Sequence, residues 1–262
     1  MKPLYQIHKI GVEIECEVLQ EVIDDYRENF GQVKSDGSIN CCRNSKCLVS
    51  FFYARELVTR PIQLKVNGKP RKLFYQMFYR LQKAYKNKQF HWNDTMGCHL
   101  HISFKPEKKP SILWSKKFYD YLCQFWRAEF SEMYLARRDN NYCEVKKTES
   151  EMFNYERYQA LNFQSAYNKH KTLEIRIFNT TEPRIMKQYI LKTIEAINLY
   201  LADPANYILE PERVEIKQQK INYSTTETLR IIKFSSTNYY NEATIPPGNG
   251  YETNFIRGIQ SV

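Results

Sequence analysis

The sequence predicts an α+β fold, in which a sheet packs one face on helices and leaves the other open. Two observations carry this. Residues 10–19, 55–59, 98–104 and 172–178 alternate polar with apolar side chains, as half-buried strands do. Helical periodicities lie between and after them, and strands that alternate this cleanly have one dry and one wet face.

The helical segments each have a local reason. Residues 71–88 carry Leu73, Phe74, Met77, Leu81 and Tyr85 along one side. Ser111 is placed to cap a helix running to about Ala136, and Thr181, followed by Pro183 in the first turn, starts another running to about Ala202. Asp203-Pro204 and Glu210-Pro211 then break the pattern. Residues 214–234 are ambiguous, and 235–262, with Pro246-Pro247-Gly248, read as loop or tail. The expected organisation is one domain over 1–202 and a C-terminal extension over 203–262, a lid or a flexible tail.

Composition narrows the function. The 262 residues hold 39 Lys+Arg against 29 Asp+Glu, a formal charge of +10, with 42% hydrophobic and 15% aromatic residues. That much apolar and aromatic material can bury a core and argues against extended disorder. No window approaches the roughly 20 apolar residues of a membrane span, and Met1–His8 lacks the apolar block of an export signal. The expectation is a soluble, cytoplasmic protein. Seven cysteines then read as reduced thiols, and Cys41-Cys42-x4-Cys47 lacks the paired spacing of a zinc site. Only 8 glycines occur, less than half the roughly 7% usual. No glycine loop of the P-loop or Rossmann kind is present, so any nucleotide here must have its phosphates neutralised by metal ions and arginines.

The open face of each strand carries the chemistry. In 11–18 the period of two sets Glu13, Glu15 and Glu17 on one side and Val12, Ile14, Cys16 and Val18 on the other. Three stacked carboxylates repel unless solvent or cations screen them, so this is either a solvated edge or a cation site. His99, His101 and Ser103 share a face over Leu100, Ile102 and Phe104, and His-x-His on a strand is a frequent metal-ligand spacing. Glu174 and Arg176 share a third face, as an ion pair or as a ligand beside a fixed cation for phosphate, and Glu56 stands on a fourth. All four open faces are acidic or imidazole-bearing, which makes a catalytic sheet the better reading.

In order and spacing, Glu13-x-Glu15 after Gly11, Asp36-Gly37-Ser38, Glu56-Leu57-Val58-Thr59, Gly97-Cys98-His99-Leu100-His101 and Thr172-Leu173-Glu174-Ile175-Arg176 resemble the amidoligases, the glutamine synthetase-like carboxylate–amine ligases. Arg137-Arg138-Asp139-Asn140-Asn141-Tyr142 and Arg157-Tyr158-Gln159-Ala160-Leu161-Asn162 resemble further segments, so the likeness covers about residues 9–200. It implies a glutamine synthetase-like fold, a curved antiparallel sheet with helices on one face and the metal and ATP site on the other. It also implies ATP, Mg2+ or Mn2+, and a substrate carboxylate that takes the γ-phosphoryl group before an amine displaces phosphate. The substrates would be small-molecule or peptide carboxylates and amines. Carried over by position, Glu13, Glu15, Glu56, His99, His101 and Glu174 are metal ligands. Arg176 and Arg137 stabilise the transferring phosphoryl, Arg157 and Asn162 join them in holding ATP, and Asp36 holds or deprotonates the amine. Arg60 and Glu17 depart from the family pattern.

Between Leu57 and Asn93 there is no acid, yet there are nine cations: Arg60, Lys65, Lys69, Arg71, Lys72, Arg80, Lys83, Lys86 and Lys88. Tyrosines and phenylalanines interleave them, which fits a solvated helix face, a nucleic-acid surface or a grip for an anionic substrate. Two other functions use the same residues. A metal-dependent hydrolase or nuclease explains the carboxylates and histidines but not Arg176 beside Glu174. A non-catalytic nucleic-acid-binding protein explains the cations but is opposed by the acidic strand face.

Overall fold

The computed structural model describes residues 5–35, 52–65, 68–106, 110–153, 158–163, 172–203 and 205–206. All of them lie in Met1–Lys220, the first of two units into which the chain divides. Asp36, Arg157, the Cys41–Cys47 cluster and nearly all of the expected C-terminal extension fall outside the described residues.

The strands are β1 (Gln6–Val18), β2 (Gly31–Lys34), β3 (Tyr53–Thr59), β4 (Ile62–Gln63), β5 (Phe90–His91), β6 (Gly97–Lys105), β7 (Leu161–Asn162) and β8 (Leu173–Asn179). The helices are α1 (Gln20–Asn29), α2 (Lys72–Lys86), α3 (Lys116–Glu129), α4 (Ser131–Arg137), α5 (Glu149–Met152) and α6 (Pro183–Ala202). The strands form one antiparallel sheet in the order β2-β3-β1-β6-β8-β7, with β4 and β5 also paired to β1. The fold is therefore mixed α and β, with an antiparallel sheet as expected.

β1 organises the sheet. Its 13 residues are long enough to hold two partners on each edge. Ile10 stands opposite both Ile62 and Ile102, and Glu17 opposite both Ala54 and His91, so β3 and β4 share one edge while β6 and β5 share the other. The alternation that marks β1 as a strand decides which side meets the helices. Ile10, Val12, Ile14, Cys16 and Val18 are all buried, together with Leu57, Cys98, Leu100, Ile102, Leu173 and Ile175. This layer joins one continuous core with Phe74, Phe78, Trp126, Ile190 and Ile197 from the helices. Two polar tips buried in that core are paired: the Trp126 indole N–H donates to Thr193 Oγ1 at 3.1 Å and the Tyr121 hydroxyl to the Ala196 carbonyl at 3.0 Å. Unpaired, each would cost about 1–3 kcal/mol.

Two helix expectations need correction. Ser111 opens only a short 3-10 turn, Ser111–Leu113, and the cap of α3 is Ser115, whose hydroxyl accepts from the Phe118 N–H at 3.2 Å. The single helix expected over 111–136 is two, broken at Phe130, which leaves helical geometry with φ −139° and ψ 50°. The break lets Phe130 meet Tyr189 of α6 at 4.8 Å between ring centres, and it turns α4 so that Arg137 approaches the sheet. Helix α1 has no counterpart in the sequence reading; its buried residues, Val22, Ile23 and Tyr26, make too short a pattern to stand out.

Candidate metal centre

The polar face of the sheet gathers the side chains that alternation assigned to it, but it is not open as expected: His99, Glu174 and Arg176 on it are buried. Register makes them neighbours: Glu13 stands opposite His99 across β1 and β6, His101 opposite Glu174 across β6 and β8, and Glu15 opposite Glu56 across β1 and β3. Two ligand groups result, Glu13 with Glu56 and His99, and Glu13 with His101 and Glu174, each with its donor atoms within 4.8 Å of one another. The Glu13 carboxylate belongs to both.

The spacings are those of ligands, not of a closed hydrogen-bond network. Glu13 Oε2 is 3.6 Å from His99 Nδ1 and 3.4 Å from His101 Nε2. Glu174 Oε1 lies 4.0 Å and 3.9 Å from the same two nitrogens. Contacts this long are weak or absent as hydrogen bonds. Two donors each about 2.1 Å from one Mg2+ at near-octahedral angles stand about 3.0 Å apart, so a shift of a few tenths of an ångström to one ångström would close these gaps on an ion. Among the described residues the buried His99 Nδ1 has no hydrogen-bond partner, and it faces Glu13 and Glu174. Three carboxylates with two imidazoles suit Mn2+ or Mg2+ better than a thiolate-seeking metal; Glu15, expected as a further ligand, belongs to neither group.

Neighbours fix the ligands. The Asn162 amide donates to Glu174 Oε2 at 2.7 Å, while Arg176 donates to Glu174 Oε1 at 2.6 Å and to the Tyr142 carbonyl at 3.3 Å. Asn162, expected to contact ATP, hydrogen-bonds the candidate ligand Glu174. The Gly97 N–H donates to Glu15 Oε2 at 2.7 Å, and a Cβ at Gly97 would stand 2.9 Å from His99 Nε2 and 3.2 Å from the Arg137 guanidinium. A side chain at this position would push on three site residues at the start of β6. Arg137 itself is 3% exposed, and among the described residues its Nε and Nη1 have no hydrogen-bond partner. Glu17, on the same face, is buried and belongs to neither ligand group.

Lys34 is the residue that sequence reasoning missed. Its ammonium lies 3.3 Å from Glu56 Oε2. Strand β2, Gly31–Lys34, is too short for periodicity to reveal. Thr172, whose hydroxyl lies 3.1 Å from His101 Nδ1, sits at the start of an expected strand and could have been found as the neighbour of Glu174.

Charge is balanced by protons in the metal-free site. Burial raises the Glu56 carboxyl, the Glu13 charge adds to this, and Lys34 only partly opposes it, so its pKa is pushed up to about 7. Burial would lower His101, but Glu13 and Glu174 outweigh it and raise its pKa above the usual imidazole range. Burial would also raise Glu13 and Glu174. The imidazoles of His101 and His99 for Glu13, and His101 with Arg176 for Glu174, hold both below the usual carboxylate range.

The signs yield a prediction. Glu56 and His101 bind their protons more tightly folded than unfolded, so their contribution is full at low pH and is lost as pH rises through about 7 and beyond. Glu13 and Glu174 act oppositely and lose theirs as pH falls below about 4.5. The metal-free protein is therefore expected to lose stability on going from pH 5 to 8, measured as urea midpoints in EDTA. Mn2+ added near pH 6.5 should release protons, seen as a calorimetric heat that varies with buffer ionisation enthalpy. A buffer-independent heat would refute this protonation pattern.

Among the described residues no helix is long and apolar enough to cross a membrane. No family model, no curated protein and no solved structure matches this chain.

Proposed function

We propose that the chain is an ATP-dependent carboxylate–amine ligase, the reading to which its motifs point. The observation that carries it is Glu13: one carboxylate shared by two ligand groups, with the buried guanidinium groups of Arg176 and Arg137 beside them. Phosphoryl transfer asks a protein for position and charge neutralisation more than for covalent chemistry. Divalent cations at the two groups would neutralise the phosphate oxygens of ATP, which a glycine-poor chain cannot cradle with backbone N–H groups.

The side chains divide the remaining work. Arg176 is held by Glu174 and the Tyr142 carbonyl, so its charge stays fixed while phosphate charge shifts. Arg137 has two donors unspent in a buried position, a receptor for an anionic oxygen. A substrate carboxylate oxygen would bond to the γ-phosphorus as ADP departs. The amine nitrogen would then bond to the acyl carbon, lose a proton, and release phosphate. Forming an amide from a carboxylate is uphill in water, and ATP cleavage supplies the drive.

Thermal unfolding with Mn2+ and a non-hydrolysable ATP analogue, each alone and together, tests the reading. At about 100 times its dissociation constant a ligand adds about 2.7 kcal/mol, here about 5–10 °C. A nucleotide shift that needs the metal and vanishes in Glu174→Gln is expected. A metal shift to which nucleotide adds nothing would overturn the ligase and favour a metal-dependent hydrolase.

A further inference from the structure

Helix α2 carries a second surface that the ligase reading does not use. Its buried residues, Phe74, Met77, Phe78, Leu81 and Ala84, join the core on the helix-covered face of the sheet, away from the Glu/His face. The outward stripe reads Lys72, Tyr75, Tyr79, Lys83 and Lys86, all exposed, with Tyr79 at 73%. Among the described residues no carboxylate lies within 4.0 Å of Lys72, Lys83 or Lys86, whereas Arg80, one step around the helix, is paired with Asp25 of α1.

Helix stability does not account for this stripe. Lys83 and Lys86 in the last turn complement the helix dipole, but Arg71 and Lys72 stand at its N-terminal end, where no acid is present and cations are unfavourable. Nor does packing account for Tyr79, whose ring lies largely in solvent, while Tyr75 packs one edge on Phe74 and keeps the rest of its ring exposed. Lysines spaced between exposed tyrosines form a track on which phosphates find charge and bases find rings to stack on. Tyr79 and Lys83 also border a groove of about 570 Å³ against α1, room for a base beside the ring. Glu21 and Asp25 on the far wall of that groove set the limit of the positive track.

We infer that the outer face of α2 binds single-stranded nucleic acid, phosphates on Lys72, Lys83 and Lys86 and bases on Tyr75 and Tyr79. A duplex keeps its bases stacked inside and offers these rings nothing. The inference is independent of the ligase reading, since it involves neither metal nor ATP.

The test is fluorescence anisotropy of the full chain with a labelled 20-nucleotide oligothymidylate in EDTA, over a salt series. Three lysine contacts to a single strand predict a log K against log[salt] slope of about −2, and Lys83→Gln should make it shallower by about 0.7. Tyr79→Ala should weaken binding about tenfold without changing the slope. The double variant Lys116→Gln/Asp120→Asn, which removes a neutralised pair on α3 away from the groove, should bind as the parent does. Thermal midpoints confirm that each variant is folded. Binding that survives Tyr79→Ala and Lys83→Gln together, or no binding at about 50 mM salt, would overturn the proposal. Equal competition by polyglutamate would also overturn it, and would assign the face to an acidic protein.

Discussion

Replacing Glu13 with Gln is expected to abolish metal binding altogether, whereas Glu56→Gln and Glu174→Gln each remove one ion of two. The asymmetry follows from the shared carboxylate: Glu13 closes both ligand groups, Glu56 only the one with His99, and Glu174 only the one with His101. Removing a residue that merely orients a ligand weakens metal binding about 10–100-fold, so losing a bridging ligand should cost at least that at both positions. The fold should survive, because Glu13 is held in β1 by backbone pairing to β3 and β6 rather than by its side chain. Free Mn2+, followed by electron paramagnetic resonance during titration, gives the stoichiometry of each variant. If Glu13→Gln still bound one ion tightly, or Glu56→Gln still bound two, the shared-ligand arrangement would be wrong.

Arg137→Met should stabilise the free protein while destroying its response to nucleotide. A buried guanidinium with two nitrogens lacking partners is a cost that the ligand-free fold bears, and an apolar side chain of similar length removes it. The expected gain is about 1–3 kcal/mol, or several degrees in midpoint for a domain of this size. The same change removes the donors offered to phosphate. The additional midpoint shift from nucleotide with Mn2+ should therefore disappear while Mn2+ stoichiometry is kept, and activity should fall about 1,000-fold or more, as loss of a transition-state arginine does. A less stable free protein with an intact nucleotide shift would make Arg137 a structural residue and undo this part of the proposal.

The candidate site was legible because it is built from strands. On β1, β6 and β8 the period of two assigned Glu13, Glu15, His99, His101, Glu174 and Arg176 to one face, and the structure has them there. The helices were less so. The break at Phe130 leaves an uninterrupted amphipathic pattern in the sequence, and only the packing of Phe130 on Tyr189 shows why the chain turns there. Lys34 entered the site without any signal of its own, and Gly97 was marked only as part of a motif, not for the N–H it gives to Glu15. Each matters only because another strand lies beside it.

What the sequence determined by itself is which side of each strand is polar, which residue types that side carries, and that glycine loops are not available for phosphates. Those are local properties, set by the alternation of side chains along an extended backbone. What only the tertiary structure decided is who meets whom: Glu13 between His99 and His101, Asn162 on Glu174, Lys34 on Glu56, and Arg137 delivered from the end of α4. Strand order and register join residues far apart in the chain, and shifting a strand by one residue would move its whole ligand set to the dry face. The burial of a continuous core beneath β1, β6 and β8 selects one register, and the candidate site on the other face inherits its geometry from that choice.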